Sequence, residues 1–591
     1  MLPQALLRPL FGCVAFMLAC AAGIEGRAAE LKPVDLGSVT EKQFWIPMRD
    51  GVRLFSFVYF PSGPGPWPVL FQQRLNDTSR DSDRKAAARL AEKGYVIATV
   101  YFRGAQLSDG DWMGYRALGW GKHRDGHDIC EWLAAQPWST GKIGSFGNSQ
   151  GGFAQNFLAV VQPPHLVAQY MVDTSLSLFH EGYRMGGATR PERFKTAISK
   201  MGVPRVPGQQ EKLMEEWFKH PTYDEYWMEE DSARHFDRMD VPSFVVGSWY
   251  DLMCPGTIRS FVGRQHQGGP HARGREQLLL GPWLHAGAPK PSKVGDLQYP
   301  DNAKFDVNAH MIRWFDHYLK GIDNAVDRDP TVRYYVMGAT GEPGAPGNFW
   351  REAADWPVAA QPTPYYFHAG GILSRKTPGA GADATTYLSD PRAPATISHP
   401  GVAVTSFPGA RDARPFESQP NVLTFSSEVL FAPVEWTGKV RAELFVSSTA
   451  KDTDFIVRVS DVYPDGRSIL IMDSILRARY REGFEHEVLM KPGKVYKVAF
   501  DVGWLSLIFN RGHRIRVTVA STGAPFYEPN PNTGEPLTMD FPANAVVAKN
   551  TIHHGGAYAS HVIAPILTEP LRAAGTDDGS TSREGALATH P

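Results

Sequence analysis

A chain of 591 residues, 42% apolar and 21% charged, has the composition of a folded globular protein and exceeds what one hydrophobic core serves. Two or three domains are therefore expected. A formal net charge of -1 with no long basic run argues against nucleic acid and anionic membrane surfaces as partners.

Residues 1–29 read as an export signal. Arg8 supplies the early positive charge, and the apolar stretch from Leu10 to Gly23 is too short to span a bilayer comfortably. Ala19-Cys20-Ala21 offers a small-residue cleavage pattern, while Met17-Leu18-Ala19-Cys20 loosely resembles a lipobox. A periplasmic or extracellular protein, cleaved or lipid-anchored at Cys20, is the expectation, with no stable membrane span. Cys130 and Cys254 then remain in the mature chain, and the pair fits one disulfide or, more simply, two buried thiols.

From 41 to 178 strand and helix patterns alternate. FWIPMRDGVRLFSFVYF carries two apolar runs around Asp50-Gly51, a hairpin signal. The strand PWPVLFQQ, the helix DRKAAARLAEKG, the strand YVIATVYF and the helix DGHDICEWLAAQPW follow in turn. This order implies a mainly parallel sheet with helices on both faces. From 179 to 240 the texture becomes aromatic and helical, in ERFKTAISK and EKLMEEWFKHPTYDEYWMEE, and reads as a cap without strands. The sheet resumes from 241 to 356, with VPSFVVGSWYD, QLLLGPWLH and the helix AHMIRWFDHYLKG. From 357 to 570 the alternating strands KVRAELFVSS, DFIVRVSDVY, KVYKVAFDV and RIRVTVAST predict an all-β jelly roll. Residues 571–591 read as a disordered tail.

Ser149 lies in Gly147-Asn148-Ser149-Gln150-Gly151, between the strand GKIGSF and the helical FAQNFLAVV. This is G-x-S-x-G in the strand–turn–helix setting that lifts a serine to the head of a helix, with the Gln150 N–H placed to meet an oxyanion. A serine nucleophile needs a histidine base oriented by a carboxylate, in the order Ser, acid, His for this fold class. Asp251 ends the strand FVVGSWY and His285 closes LLLGPWLH. Plainer roles remain open, Asp251 as the cap of the next helix and His285 as a packed loop residue, but order and placement favour a triad. Asp452, Asp454, Asp461 and Asp465 lack the glycine-spaced loop of a calcium site and read as turn and surface carboxylates. His553 and His554 would point to opposite faces of a strand.

YFRGAQLSDGDW, DGHDICEWLAAQPWSTGKIGSFGNSQGG, SWYDLMCPGTIRSF, GPWLH and WFDHYLKG resemble the cocaine esterase and X-Pro dipeptidyl-peptidase hydrolases. Relatives of that group include α-amino-acid ester hydrolases and glutaryl cephalosporin acylases. KDTDFIVRVSDVYPDGRS, ILRARYREG and EPNPNTG carry the resemblance through the C-terminal part. It implies an α/β-hydrolase fold with an inserted helical cap and a C-terminal jelly roll, and it puts Ser149, Asp251 and His285 on the triad.

Two departures matter. The family's R-x-P-Y tyrosine, an oxyanion donor, is missing from Gln73-Arg74-Leu75-Asn76-Asp77-Thr78, which leaves the Asn76 side chain or a backbone N–H as its replacement. The D-x-E-D that binds a substrate ammonium in the amino-ester hydrolases reads Asp251-Leu252-Met253-Cys254, and the G-D-D-x-F stretch reads Ser175-Leu176-Ser177-Leu178-Phe179 with Glu181 nearby. Met253 and, from the cap, Trp217 are the expected substrate contacts. The reading is a serine hydrolase of small esters or amides without a free α-amine, requiring no cofactor or metal. The alternatives are an amino-ester or dipeptidyl hydrolase and, in another class, a catalytically weak glycan-binding protein of the envelope.

Overall fold

The computed structural model describes residues 29–190, 203–285, 293–381, 383–397 and 409–567. The proposed export segment up to residue 28, the cap stretch ERFKTAISK and the C-terminal tail lie outside the described residues.

A ten-stranded sheet forms the first layer. Its seven central strands are parallel, in the spatial order Val96–Tyr101, Trp67–Arg74, Ser139–Asn148, Leu166–Val172, Ser243–Ser248, Gln277–Gly281 and Val332–Val336. The hairpin Thr40–Pro47 and Arg53–Phe60 extends one edge antiparallel, and Phe349–Ala353 closes the other. The Asp50-Gly51 turn signal works because Gly51 sits at φ 84°, which a side chain would strain.

Both faces carry helices. Val307–Lys320 shows why: the Asp306 carboxylate accepts from the Ala309 N–H at 3.0 Å, Gly321 ends the helix at φ 72°, and Val307, Met311, Trp314, Phe315 and Leu319 form one buried face. Cys130, inside the helix Asp125–Ala134, and Cys254, the first residue of Cys254–Gln267, are both buried and free.

The cap is helical at Gln209–Lys219 and Glu225–Met228, but it also contains a short hairpin, Arg184–Met185 with Ala188–Thr189. This corrects the strandless cap read from the sequence: two-residue strands leave no periodicity to detect. The hairpin meets the C-terminal domain so closely that a Cβ on Gly186 would lie 1.7 Å from the Ile475 carbonyl oxygen. The Arg477 N–H donates to the Gly186 carbonyl there.

The C-terminal strands, from Gln361–His368 to His561–Ile566, form an all-β jelly roll. Trp356 joins its core to the hydrolase core, with ring centroids 5.9 Å from Trp249 and 6.0 Å from Trp504. The aspartates read as surface residues are not on the surface. Asp452 and Asp454 are fully buried and ion-paired with Arg479 and Arg477, and Asp461 is paired with His513. Asp465 alone matches the expectation, half-exposed beside Arg467. His553 and His554 do face apart, the first toward Ser447 and the second toward Thr385.

Candidate active site

Four consecutive strands of the parallel sheet end in chemistry-bearing residues. Ser149 follows Ser139–Asn148, Asp173 follows Leu166–Val172, Asp251 lies beyond Ser243–Ser248, and His285 beyond Gln277–Gly281. Strand order alone therefore gathers them at one edge of the sheet, where this architecture places its sites.

Ser149 is held at φ 56° and ψ -116°, a conformation costly for any side chain and found where the surroundings impose it. Its N–H donates to the Val172 carbonyl at 2.9 Å, and its carbonyl accepts from the Phe153 N–H at 2.8 Å. The glycines of the motif are steric requirements. A Cβ on Gly147 would press on the Gly151 backbone at 3.2 Å, and one on Gly151 would meet the Gln73 carbonyl at 3.3 Å. Gln150 opens the helix Gln150–Val161, so its N–H belongs to the unpaired first turn that attracts negative charge.

The Gln150 side chain is fully used. Its Oε1 accepts from the Leu75 N–H at 2.5 Å and its Nε2 donates to Asn76 Oδ1 at 2.7 Å. Asn76 Oδ1 also accepts from Arg74 Nε, and its Nδ2 donates to the Asp77 carbonyl at 3.3 Å. These are the contacts of a loop tie. The Asn76 amide thus anchors its own loop, with one of its two Nδ2 hydrogens directed at Asp77.

His285 Nδ1 lies 2.9 Å from Asp251 Oδ2, joining a side chain that is 31% exposed to one that is 1% exposed. The backbone fixes this pairing: the Trp249 N–H donates to the Gly281 carbonyl and the Tyr250 N–H to the Trp283 carbonyl. Asp251 accordingly serves the histidine and not the next helix, whose cap position is Met253. Asp173 is the residue that sequence reasoning missed. One carboxylate oxygen each of Asp173 and Asp251 and one ring nitrogen of His285 lie within 4.8 Å of one another. Asp173 is fully buried, sits at φ 48° and accepts from Ser248 Oγ at 3.2 Å. Its signal was present, since it too ends a strand between Ser149 and His285. This trio is the one group of metal-ligand type among the described residues, and its Asp251–His285 contact is that of a hydrogen-bonded pair.

The expected substrate contacts fare differently. Trp217 is 1% exposed and packs in the cap core, 4.4 Å from the Tyr183 ring and 6.2 Å from Trp227. Helical spacing marked it as apolar without showing that its face turns inward. A cavity of about 1290 Å³ reaches Asp251, but the side chains beside it are Leu252 and Cys254, with Met253 outside the lining. Glu181 borders the same cavity, buried, accepting from the Leu176 N–H at 2.8 Å and lying 3.4 Å from Arg259. Burial raises its pKa, while Arg259 and the backbone N–H groups oppose that shift.

Comparison with known proteins agrees with this fold. Residues 50–207 and 199–287 match the X-Pro dipeptidyl-peptidase (S15 family) model, and 324–563 match the X-Pro dipeptidyl-peptidase C-terminal non-catalytic domain. Cocaine esterase of Rhodococcus sp. (strain MB1 Bresler) is 29% identical over 88% of this chain and 97% of its own. An aminopeptidase from a marine sediment Thaumarchaeota archaeon superposes with a TM-score of 0.78 at 24% identity, covering 92% of this chain and 99% of that one. An α-amino acid ester hydrolase superposes at 0.77 and 23%, covering 94% and 100%. At these identities the two structures establish the fold.

Proposed function

This chain belongs to the cocaine esterase and X-Pro dipeptidyl-peptidase (S15-like) serine hydrolases, and from that premise we propose that it cleaves acyl esters through a covalent intermediate on Ser149. The observation that carries the assignment is the 2.9 Å Asp251–His285 hydrogen bond on strands neighbouring the Ser149 elbow. With Nδ1 held by Asp251, His285 Nε2 serves as the base. It takes the Ser149 proton as Oγ attacks the acyl carbonyl, then returns it to the leaving alkoxide. The Gln150 N–H stabilises the oxyanion, and water repeats the sequence on the acyl-enzyme. Asn76 acts by fixing the facing loop. Asp173 adds a second buried carboxyl group beside the imidazole.

A fluorophosphonate probe tests the nucleophile. It should label the wild type and not Ser149→Ala, whose turnover should fall below about 1%. A Ser149→Ala enzyme retaining more would end the assignment.

The substrate class follows from what meets the site. Met253 and Cys254 stand where the amino-ester hydrolases carry acids, with Cys254 lining the cavity, and Glu181 is already satisfied by Arg259 and backbone N–H groups. An ammonium there would be buried without a free counter-charge, at a cost of several kcal/mol. A phenylacetyl ester should therefore be turned over with a higher kcat/KM than its phenylglycyl counterpart in the charged form. The reverse order would establish the amino-ester or dipeptidyl reading instead. The apolar leader of residues 1–29 supports export, which fractionation of cells expressing the full chain would test. Among the described residues no helix is long and apolar enough to cross a membrane.

A further inference from the structure

Three neighbouring strands of the sheet deliver Asp173, Asp251 and His285 to one point. One carboxyl oxygen of each aspartate and one ring nitrogen lie within 4.8 Å of one another there, and both aspartates are buried. Asp173 is fixed by backbone and side chain together. Its N–H donates to the Val246 carbonyl of the adjoining strand at 2.8 Å, its φ is 48°, and its Oδ2 accepts from Ser248 Oγ at 3.2 Å. An aspartate in the left-handed region is held there by its surroundings.

Asp251 turns Oδ2 to His285 Nδ1, 2.9 Å away, and its Oδ1 is buried with no hydrogen-bond donor among the described residues. A buried carboxylate oxygen left in that state is costly and calls for a donor. Besides His285, Arg190 and Cys254 face the pair. Arg190 is a buried guanidinium on which Asp473 and Asp251 both act. Burial raises the Cys254 thiol well above its ordinary pKa, and both aspartates add to that.

Two buried carboxyl groups this close do not both ionise; they hold one proton between them. Asp251 is the better anion, because it accepts from the imidazole and feels Arg190, whereas Asp173 accepts from a neutral hydroxyl. The proton then resides on Asp173, and a turn about the broad Asp χ2 well brings its O–H to the second oxygen of Asp251.

We propose that Asp173 is a positioning acid: it carries the proton of the pair and donates it to Asp251, fixing the carboxylate that orients His285. The inference rests on the Ser149 chemistry proposed above and deepens it. When His285 takes the Ser149 proton, Asp251 compensates the imidazolium, and Asp173 holds Asp251 in line without adding a charge.

Variants of Asp173 decide it, with a phenylacetyl ester as substrate. Asp173→Ala should lower kcat by about 10- to 100-fold with KM nearly unchanged, the size of a lost hydrogen bond to a charged group. Asp173→Asn, whose amide N–H replaces the O–H, should recover most of that loss. The acid limb of its kcat/KM profile should stay within about half a unit of the wild type, since the imidazole faces one negative charge in both enzymes. A larger fall of that limb, which loss of an ionised neighbour would produce, or an asparagine variant as slow as the alanine one, would overturn the proposal. Infrared difference spectra read the proton without turnover. Above the ordinary carboxyl range of pH, Ser149→Ala should show a deuterium-sensitive carboxylic-acid carbonyl band that Ser149→Ala with Asp173→Asn lacks. Failed probe labelling of the wild type would defeat the nucleophile alone, and absence of that band the positioning acid alone.

Discussion

The hydrolase sheet and the jelly roll both bury aspartates, and they use them for opposite ends. Asp251 faces a histidine that is 31% exposed and able to lose its proton, at a sheet edge beside a strained serine. Asp454 and Asp452 face Arg477 and Arg479, which cannot lose theirs, and all four side chains are at most 1% exposed. Asn530 Nδ2 binds both carboxylates, at 2.8 Å to Asp452 and 2.7 Å to Asp454, and ties the two ion pairs together. A buried carboxylate becomes chemistry only where its partner titrates and can be reached. Otherwise it is a fastening.

Exchanging oxygen for nitrogen at each site sharpens the contrast. Asp251→Asn should lower kcat by about 10⁴, because an amide imposes the wrong imidazole tautomer, with little change in the unfolding midpoint. A loss well below that would assign the orienting role to Asp173, and adding Asp173→Asn should then remove the remainder. Asp454→Asn should do the reverse. It leaves Arg477 buried and uncompensated, worth about 3–5 kcal/mol in denaturant unfolding. A fall in kcat approaching that of Asp251→Asn would break the comparison.

The two regions also differ in how much the sequence disclosed. The Ser149 elbow was legible because its determinants are local: two glycines, a strand before and a helix after, within twelve residues or so. Asp251 and His285 were legible through order and strand ends. Asp173 satisfies the same order, and only the 4.8 Å grouping shows that both carboxylates meet one imidazole. In the jelly roll the alternation of Asp452 with Asp454 was visible, as was that of Arg477 with Arg479. Their register, Asp454 opposite Arg477, is a long-range fact that no local pattern encodes. Trp217 fails for a third reason, since which way a cap side chain turns depends on what packs against it.

The smallest effect tests whether a jelly-roll carboxylate with a titratable partner still behaves as a fastening. His513 is fully buried, with Nδ1 2.8 Å from Asp461 and Nε2 2.9 Å from Glu342, and the Tyr463 ring 4.4 Å away. Burial alone would lower its pKa, but Asp461 and Glu342 outweigh burial and raise it above the ordinary histidine value. The charged form is therefore favoured by folding. Its contribution is complete below the unfolded histidine pKa of about 6.5 and is lost as pH rises through the higher folded value. Each unit of elevation is worth about 1.4 kcal/mol. The thermal midpoint should thus decline as pH rises above about 6.5, and His513→Gln should flatten that slope. A midpoint that rises over this range, or a variant that keeps the wild-type slope, would show that this pair does not titrate with folding. Unlike Asp251–His285, the pair lies in a wall of the fold and not at its open edge, so kcat should not follow the slope.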